Sequence, residues 1–338
     1  MRFEVRVAGH AIAFACAADE AILDAAERAG YALPYSCRKG ICSTCEGSLV
    51  AGQMQVRGRR IVGHNDAVLM CQARPCSDVE IMPKRIEERA PSPRKTLTAT
   101  VYRIARSAPE VCVLTLRFAN GVRVKFQAGQ YLQVLLPDGD RRNFSLANAP
   151  HENDGVELHI RHVSGGRFSE RMLQTLAVGQ KLTVELPFGQ FFLREGGRPA
   201  IFLATGTGFA PIKSIFEAAL RRGDRRPMRL YWGARTLPDL YMAERVAKWV
   251  DRAPWFSFVS VLSRPDGDWT GRTGRVHRAA LEDNPDMSNV EVYACGNPLM
   301  IAAARKDFAN EGGLPEARFY ADAFVASGRS EMSVREGS

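Results

Sequence analysis

The sequence predicts three domains: an α+β domain, an antiparallel β-barrel, and a doubly wound α/β domain with a parallel sheet. The chain has 338 residues, enough for two or three domains that each bury a core. Short alternating strands broken by Gly and Pro begin near residue 96, and strands alternate with helices after about residue 196. These changes in pattern place the domains at 1–82, 96–195 and 196–328, with a linker at 83–95 and a disordered tail at 329–338.

The first domain is predicted from a hairpin, a helix and a cysteine-rich loop. Two short alternating runs flank Gly9-His10, which suits a hairpin turn. Residues 21–29 are predicted to be helical, and Gly30 stops the helix at the C′ position. The opening run MRFEVRVAGH alternates charged and apolar residues, so it is predicted to be a strand rather than a signal peptide.

The second domain is predicted to be a small antiparallel barrel because it contains six short alternating segments. These segments lie at 97–104, 111–118, 130–136, 143–147, 156–162 and 181–186. One helix is predicted at 168–176.

The third domain is predicted from apolar strands that alternate with helices, a pattern typical of a parallel doubly wound sheet. The strands are predicted at 201–205, 229–233, 256–262 and 290–295. The helices are predicted at 210–222, 240–250 and 299–310.

The composition, with 46% hydrophobic and 25% charged residues, is that of an ordinary globular protein. No apolar run reaches the length of a membrane span, so no membrane association is expected. The net charge of +9 is dispersed, and without a concentrated basic stripe we expect no nucleic-acid partner. An acidic protein partner or anionic cofactors suit this surface better. The lack of an export signal, together with the free thiols, predicts a cytoplasmic protein.

Four cysteines have the spacing C-x4-C-x2-C, followed by a fourth after a gap of 25 residues: Cys37, Cys42, Cys45 and Cys71. This is the plant-type ligand spacing of a [2Fe–2S] cluster, whose two irons need four converging thiolates. A zinc site often has two C-x2-C pairs, and only Cys42 and Cys45 form one here. Zinc and reduced structural thiols are the alternatives to the cluster.

The other cysteines are given no ligand role. Cys16, Cys76 and Cys112 lie in apolar or strand-like segments and are predicted to be small buried residues. Cys76 lies close enough to Cys71 in the sequence to compete as a ligand, but the spacing favours Cys71.

Two motifs of the barrel suit a flavin. RNFS at 142–145 resembles the R-x-[YF]-S motif of the ferredoxin–NADP reductase superfamily, and GGRFS at 165–169 leads into a helix start that can present amides to phosphate. Arg142 can clamp a pyrophosphate, Phe144 can pack on the isoalloxazine and Ser145 can hydrogen-bond near its N5. The alternative is a surface arginine, a core phenylalanine and turn glycines. The predicted flavin-site residues are Arg142, Asn143, Phe144, Ser145, His159, Arg161, Gly165, Gly166, Arg167 and Ser169.

A glycine-rich turn in the third domain suits a dinucleotide. The run LATGTGFAP follows a strand and opens a helix, which is the arrangement that cradles a pyrophosphate. It matches the G-T-G-x-A-P form of flavin reductases in this superfamily, and CGNP at 295–298 resembles their C-G-x-P motif. The residues predicted to contact the nucleotide or the flavin here are Thr205, Gly206, Thr207, Gly208, Pro211, Arg235, Cys295, Gly296, Pro298 and Phe324.

Ser145, Cys295 and Phe324 are predicted to act at the reacting centre. By the resemblance, Cys295 lies near the nicotinamide, and Phe324 covers the second flavin face and moves aside for the nicotinamide. The alternatives are a buried strand-end thiol for Cys295 and core packing for Phe324. Arg235 can meet a ribose 2′-phosphate or the NADH pyrophosphate, so NADH and NADPH both remain open, and the resemblance favours NADH. FAD is expected rather than FMN because the barrel motifs suit a pyrophosphate.

With the three units in this order, the chain resembles three-domain ferredoxin–flavin–nicotinamide reductases of the benzoate-dioxygenase-reductase type. The resemblance covers about residues 1–325 and implies a β-grasp plant-type ferredoxin domain, a flavin barrel and a nucleotide domain. LPYSCRKG, HIRHVSGGRFS and ELPFG are similar to terephthalate dioxygenase reductases. RPMRLYWGAR, DWTGRTG and VYACGNPLM resemble CDP-6-deoxy-glucoseen reductases.

The resemblance implies that hydride passes from NAD(P)H to FAD and that single electrons leave through the cluster to a partner oxygenase. The expected partner is a Rieske aromatic-ring-hydroxylating dioxygenase of the terephthalate type, which docks at the cluster loop through Arg38 and Lys39. A monomer suits a protein that must dock and leave. A deoxysugar dehydrase, a di-iron monooxygenase and a pure electron carrier with a degenerate flavin half are the alternatives, and a membrane-bound respiratory subunit is disfavoured.

Overall fold

The computed structural model describes residues 1–88 and 93–325. The chain divides into two compact units, with the boundary between Pro93 and Arg94. The predicted tail 329–338 and residues 89–92 of the predicted linker lie outside the described residues. Within the described ranges, no helix is both long enough and apolar enough to cross a membrane.

The first unit contains a five-stranded mixed sheet and helix α1 (Ile22–Arg28). In spatial order its strands are β2 (Ala13–Ala17), β1 (Arg2–Val7), β9 (Val79–Pro83), β4 (Glu46–Ala51) and β7 (Asp66–Leu69). β1 and β9 are parallel, and the other neighbours are antiparallel. Helix α1 buries Ile22, Leu23, Ala25 and Ala26. A helix that covers a mixed sheet with parallel central strands is the β-grasp arrangement.

Short strands complete the first unit. β5 (Gln53–Val56) pairs with β6 (Arg59–Val62) and β8 (Ala73–Pro75), and β3 (Tyr31–Ala32) pairs with β10 (Glu87–Glu88). The hairpin of β5 and β6 turns at Arg57 and Gly58, whose φ values of 51° and 81° fit a type I′ turn. Because β10 lies within 83–95, part of the predicted linker is paired with the first unit.

The second unit begins with a six-stranded antiparallel sheet. In spatial order its strands are β14 (Arg141–Ser145), β13 (Tyr131–Leu135), β16 (Lys181–Phe188), β11 (Lys95–Ala108), β12 (Val111–Arg117) and β15 (Gly155–Arg161). A bridge between Leu146 and Leu158 connects its two ends and closes the sheet into a barrel. The helix predicted at 168–176 is a π-helical turn, Arg167–Met172, that continues into α2 (Leu173–Thr175).

The rest of the second unit is a six-stranded parallel sheet with helices. In spatial order the strands are β20 (Arg272–Thr273), β19 (Phe256–Leu262), β18 (Met228–Ala234), β17 (Ala200–Thr205), β21 (Glu291–Gly296) and β22 (Phe319–Ala323). The helices are α3 (Phe209–Arg222), α4 (Ala243–Arg252), α5 (Val276–Asp283) and α6 (Pro298–Asn310). The predicted fold class is confirmed, although the sequence analysis did not predict β20, β22 or α5.

The strand order reverses between β17 and β21. In open parallel sheets, ligands bind outside the carboxyl ends of the strands at such a reversal. β17 ends at Thr205 and β21 ends at Gly296, so both predicted nucleotide motifs meet there. The topology therefore places the candidate nucleotide site at the reversal point.

Candidate functional site

Four thiols of the first unit lie in the loop between β3 and β4 and just after β7. Cys37, Cys45 and Cys71 are buried, and Cys42 is half-buried. The thiols of Cys37 and Cys42 hydrogen-bond to each other, and so do those of Cys45 and Cys71. The bond from Cys42 lowers the pKa of Cys37 to about 5 against the opposing effect of burial, while the pKa of Cys42 is raised.

This pairing of thiols suits a cluster of two irons. The cysteines form two close pairs, and a [2Fe–2S] cluster needs two thiolates on each iron. The four thiols therefore fit the cluster, and each close pair would supply two of its thiolate ligands.

Backbone N–H groups of the loop point at the sulfur atoms. The amide of Lys39 donates to Cys37 Sγ at 3.3 Å. The amides of Ile41 and Gly40 donate to Cys37 and Cys71, respectively. Hydrogen bonds to ligating sulfurs tune the reduction potential of a bound cluster, so these amides would contribute to that tuning.

The loop reaches this geometry through left-handed backbone conformations. The φ angle is 54° at Arg38, 69° at Gly40 and 53° at Ser43, a region that non-glycine residues rarely occupy. A Cβ at Gly40 would lie 2.5 Å from Arg57 Nη2 and 2.7 Å from the side chain of Gln72. Only glycine fits there without displacing its neighbours.

Arg57 and Gln72 hold the cysteine-bearing loop in place, and neither was predicted from the sequence. The Arg57 guanidinium donates to the carbonyls of Lys39 and Gly40. Gln72 Nε2 donates to the carbonyl of Arg38 at 3.1 Å. These contacts join segments that are far apart in the sequence, so no local spacing could have revealed them.

Arg38 is not an exposed docking residue. Its guanidinium pairs with the carboxylates of Asp24 and Glu27 on α1 and lies 4.3 Å from the ring centroid of Tyr35. Its side chain is only 16% exposed. The prediction that Arg38 meets an acidic partner is therefore wrong, because acidic residues of its own unit already pair with it.

The remaining cysteines of the first unit and the barrel differ in burial. Cys16 is buried as predicted, and burial raises its pKa to about 12. Cys76 is exposed and Cys112 is half-buried, so the prediction of burial is wrong for Cys76 and only partly correct for Cys112. Ala73 and Pro75 of β8 point inward, and Cys76, the next residue, points outward by the alternation of a strand.

At the end of β14, Ser145 carries a buried hydroxyl with no hydrogen-bond partner among the described residues. Leaving such a group unpaired costs about 1–3 kcal/mol, which is the pattern expected where a ligand completes the bond. The neighbouring ring of Phe144 lies 4.9 Å from that of Phe168 and is half-buried. An aromatic face beside an unsatisfied hydroxyl fits a flavin ring.

Arg142 and Asn143, also on β14, are held by neighbouring side chains. An Arg142 Nη atom lies 2.6 Å from the Asp140 carboxylate. Asn143 Oδ1 accepts a hydrogen bond from Gln133 Nε2 at 3.1 Å. A guanidinium has five N–H donors, so the contact with Asp140 leaves donors for a phosphate.

The predicted turn at 165–169 is shaped by its glycines. Gly165 has a φ of 73°, and a Cβ at Gly166 would lie 2.4 Å from Ser169 Oγ. Ser169 Oγ accepts from the amide of Val163 at 3.1 Å, so its hydroxyl stabilises the turn. The side chain of Arg167 lies outside what the structure describes.

His159 lies between protein groups. Its Nδ1 is 2.8 Å from the hydroxyl of Tyr241, and its Nε2 is 3.1 Å from Glu157 Oε1. Burial lowers the pKa of His159, so the imidazole is neutral at pH 7. Both ring nitrogens bond to protein groups, and the contact between His159 and a cofactor stays a prediction.

The dinucleotide turn follows β17 and enters α3. Gly206 has a φ of 53°, and its carbonyl accepts from Trp232 Nε1 at 3.1 Å. A Cβ at Gly208 would lie 2.3 Å from the carbonyl of Cys295, so a side chain is excluded there. Thr207 and Pro211 are buried in the turn and in the first turn of α3.

The second nucleotide motif packs directly on the first. Thr205 Oγ1 accepts from the amide of Asn297 at 2.8 Å. A Cβ at Gly296, where φ is 121°, would lie 2.3 Å from Thr205 Oγ1. Pro298 then opens α6. The structure therefore brings together two motifs whose residues Thr205 and Asn297 are 92 positions apart.

Cys295, Phe324 and Arg235 differ in accessibility. Cys295 is completely buried, and burial raises its pKa well above that of an ordinary thiol. The amide of Phe324 donates to the carbonyl of Gly296 at 2.8 Å, and its half-buried ring packs on the core that includes Cys295. Arg235 is exposed just after β18, and its carbonyl accepts from the amide of Arg264 at 2.9 Å.

The barrel faces the dinucleotide turn through Arg161. This residue ends β15, and its Nη2 lies 2.9 Å from the Glu110 carboxylate. Its Nη1 would lie 3.9 Å from a Cβ added at Gly206. The barrel strand that ends at Arg161 therefore lies against the dinucleotide turn.

Three family models match the chain in order. The 2Fe-2S iron-sulfur cluster binding domain matches residues 5–76. The oxidoreductase FAD-binding domain matches residues 99–193, and the oxidoreductase NAD-binding domain matches residues 202–306.

Whole-chain relatives have the same organisation. The chain is 40% identical to terephthalate 1,2-dioxygenase reductase component 1 of Comamonas sp, over 97% of this chain and 98% of the relative. It is 38% identical to the CDP-6-deoxy-L-threo-D-glycero-4-hexulose-3-dehydrase reductase of Yersinia pestis, over 97% of this chain and 100% of the relative. The crystal structure of the Amycolatopsis cytochrome P450 reductase GcoB matches with a TM-score of 0.78 and 33% identity, covering 96% of this chain and 100% of that chain. The chain belongs to the family of three-domain oxidoreductases that combine a 2Fe-2S iron-sulfur domain, an FAD-binding domain and an NAD-binding domain in one reductase chain.

Proposed function

We propose that this protein takes hydride from NAD(P)H onto bound FAD and delivers single electrons through its [2Fe–2S] cluster to a partner oxygenase. One observation carries the proposal: Arg161 at the end of barrel strand β15 lies against Gly206 of the dinucleotide turn. Hydride transfer needs the donor and acceptor atoms held about 3–3.5 Å apart, so the two binding regions must share one space.

The residues on the barrel side bind and orient the flavin. Arg142 clamps a phosphate while Asp140 fixes its direction. Phe144 offers an aromatic face to the isoalloxazine. The unpaired hydroxyl of Ser145 donates to the ring near N5. Bound FAD supplies the conversion of a two-electron hydride into one-electron steps, which no side chain provides.

The residues on the nucleotide side place the coenzyme. The backbone of Gly206 and Gly208 receives the pyrophosphate at the start of α3. Phe324 covers the flavin face that the nicotinamide must reach, and Cys295 forms the buried wall behind it. Arg235 lies where β18 ends and can contact a ribose phosphate or the pyrophosphate, with NADH as the preferred coenzyme.

The partner we propose is a Rieske dioxygenase of the terephthalate type. The relative at 40% identity supports this choice, while the dehydrase reductase at 38% keeps a deoxysugar pathway as the second candidate. A di-iron monooxygenase is a third, since a reductase component of propane 2-monooxygenase is 32% identical. We propose that the protein acts in the cytoplasm, because its cysteines are free and its proposed electron donor is NAD(P)H. We also propose a monomer, since the protein must dock with its partner and leave.

The docking surface we propose is the β5–β6 hairpin beside the cluster loop. Arg57, Arg59 and Arg60 are all exposed there. Arg57 contacts the carbonyls of Lys39 and Gly40, so this hairpin is continuous with the cluster loop. An electron acceptor with an acidic surface around its own redox centre would fit this surface.

The function is tested on protein purified under anaerobic conditions. About two iron and two acid-labile sulfide are expected per chain, together with one FAD. NADH or NADPH should bleach the flavin absorption and then produce the EPR signal of a reduced cluster, and the two limiting rates identify the coenzyme. Stoichiometric zinc in a colourless preparation would refute the proposal.

A further inference from the structure

A buried polar network joins the barrel to the nucleotide-binding sheet. Glu157 and His159 belong to β15 of the barrel, whereas Lys213 and Glu217 belong to α3 and Tyr241 precedes α4. His159 and Lys213 are 5% and 2% exposed, respectively. Buried ionisable groups are costly unless each is paired, so such a network has to be satisfied throughout.

The hydrogen bonds of this network fix the tautomer of the imidazole. The Glu157 carboxylate can only accept, so Nε2 of His159 carries the proton at 3.1 Å. Nδ1 then accepts from the Tyr241 hydroxyl at 2.8 Å. Each hydrogen bond thus has one donor and one acceptor, and a neutral His159 meets both requirements.

The Tyr241 ring continues the connection to the dinucleotide turn. It packs edge-on against Trp232, with ring centroids 5.2 Å apart. Trp232 Nε1 donates to the carbonyl of Gly206 in that turn. A continuous series of contacts therefore runs from His159 in the barrel to the nucleotide site.

Helix α3 provides a second connection on the other side of the turn. Lys213 Nζ donates to the carbonyl of Ala147 at 3.0 Å, and Ser214 Oγ donates to the carbonyl of Asn148 at 2.6 Å. These carbonyls follow Ser145 by two and three residues. The helix that begins at the dinucleotide turn is thus bound to the backbone beside the predicted N5 contact.

We propose that Tyr241 is a positioning residue for hydride transfer, whose hydrogen bond to His159 holds the dinucleotide turn in alignment with the flavin side of the barrel. The inference rests on the proposed function, because it assigns a role within that hydride-transfer site. It requires no contact between Tyr241 and either cofactor. A displacement of 1 Å at a reacting centre costs about 100-fold in rate, so a small loss of alignment is measurable.

The test compares Tyr241→Phe with Tyr231→Phe in the full-length holoprotein. Tyr231 is a matched control because its hydroxyl bonds to Asp283 at 3.0 Å and to Asn284 at 2.9 Å, entirely within the nucleotide-binding part. Stopped-flow reduction of the flavin at saturating NADH or NADPH should slow about 5- to 50-fold in Tyr241→Phe, and the control should stay within about twofold. The primary isotope effect with C4-deuterated coenzyme should rise only in Tyr241→Phe, because hydride transfer becomes the slow step.

A second measurement does not depend on activity or on flavin binding. In flavin-free protein, hydrogen–deuterium exchange should increase at the Gly206–Gly208 turn and β15 in Tyr241→Phe, and near Asp283 in the control. An unchanged rate with unchanged exchange in Tyr241→Phe would overturn the inference, and so would equal slowing in both variants. If the wild-type flavin is not reduced by either coenzyme, the proposed function has failed, whereas the exchange result still decides whether Tyr241 aligns the turn.

Discussion

Cys71 and Cys76 show how the local environment of a thiol decides whether it can bind iron. Cys71 is buried, hydrogen-bonded to Cys45 and supplied with a backbone donor from Gly40. Cys76 is exposed, and the strand alternation of β8 points it away from the core. Five residues of sequence thus separate a thiol in the pocket from a thiol in solvent.

We predict that Cys71→Ser loses the cluster and that Cys76→Ser keeps it. The first variant should contain less than about half of the two irons per chain expected for wild type, since one iron loses a thiolate. FAD content should be unchanged in both, because the flavin residues lie in another domain. Iron, labile sulfide and flavin assays on anaerobic protein check this, and a Cys76→Ser variant that loses iron would contradict the ligand assignment.

At the scale of elements, helix α3 depends on one buried lysine. Lys213 Nζ lies 2.9 Å from Glu217 and 3.2 Å from Glu157, and the Arg245 guanidinium lies 2.6 Å from Glu217. Two carboxylates thus meet two cations. Burial alone would raise the pKa of Glu157, but the hydrogen bond with His159 and the charge of Lys213 outweigh it and lower this pKa to about 2.

We predict that Lys213→Met destabilises the protein by about 3–5 kcal/mol, because removing one partner leaves a buried charge uncompensated. Adding Glu157→Gln should recover part of this loss, since the side-chain amide oxygen still accepts the hydrogen bond from His159 Nε2–H and the network is again neutral. Urea titration gives the free energy of unfolding of Lys213→Met, Glu157→Gln and the double variant. If the double variant loses more free energy of unfolding than the two single variants lose together, charge balance is not what Lys213 provides.

The sequence predicted the elements whose local pattern is strong. β17, the glycine turn and α3 were predicted because an apolar strand, glycines and a helix start follow one another within about 20 residues. β22 was missed because its five residues are buried on both faces and show no alternation. β3 and β10 are two residues each, which is too short for any periodicity to appear.

In the candidate site, too, the sequence predicts what a local pattern shows and misses what depends on tertiary packing. Cys37 and its partners were predicted from spacing because a cluster imposes that spacing on the chain. The pairing of Arg38 with Asp24 could not be predicted, since it depends on how α1 packs beside the loop. Lys213 offered a signal that was not used: it is the only charged residue in FAPIKSIF, the first eight residues of the helix.

For the whole molecule, the location of the positive charges affects the encounter with an electron acceptor more than the net charge does. The net charge of +9 is spread over 338 residues. The arginines of the β5–β6 hairpin are concentrated beside the cluster loop, where an acceptor has to approach. Salt screens exposed charges over about 10 Å at 0.1 M and about 3 Å at 1 M, so local patches dominate encounter rates at physiological salt.

We predict that Arg59→Glu/Arg60→Glu slows electron transfer from the cluster to the trianion ferricyanide and speeds transfer to the trication hexaammineruthenium(III). Changes of about three- to tenfold are expected at low salt, because a local potential of a few kT alters encounter rates by that order. Both effects should shrink as ionic strength rises, since the Debye length falls from about 10 Å at 0.1 M to about 3 Å at 1 M. Rapid-freeze EPR follows the signal of the reduced cluster directly during reoxidation.

The matched control is Arg2→Glu/Arg6→Glu on β1, which lies in a different sheet of the same unit. Both double variants lower the net charge by four, from +9 to +5, so only the position of the change differs. If the hairpin is the docking surface, the control should alter both rates by less than about twofold, because its charges lie on a sheet that does not include the hairpin. Equal effects of the two variants would show that total charge governs the encounter, and the acceptor would then have no reason to favour the hairpin. If the two rates change in opposite directions in the hairpin variant alone, the hairpin is a local basic surface that an acidic oxygenase could recognise.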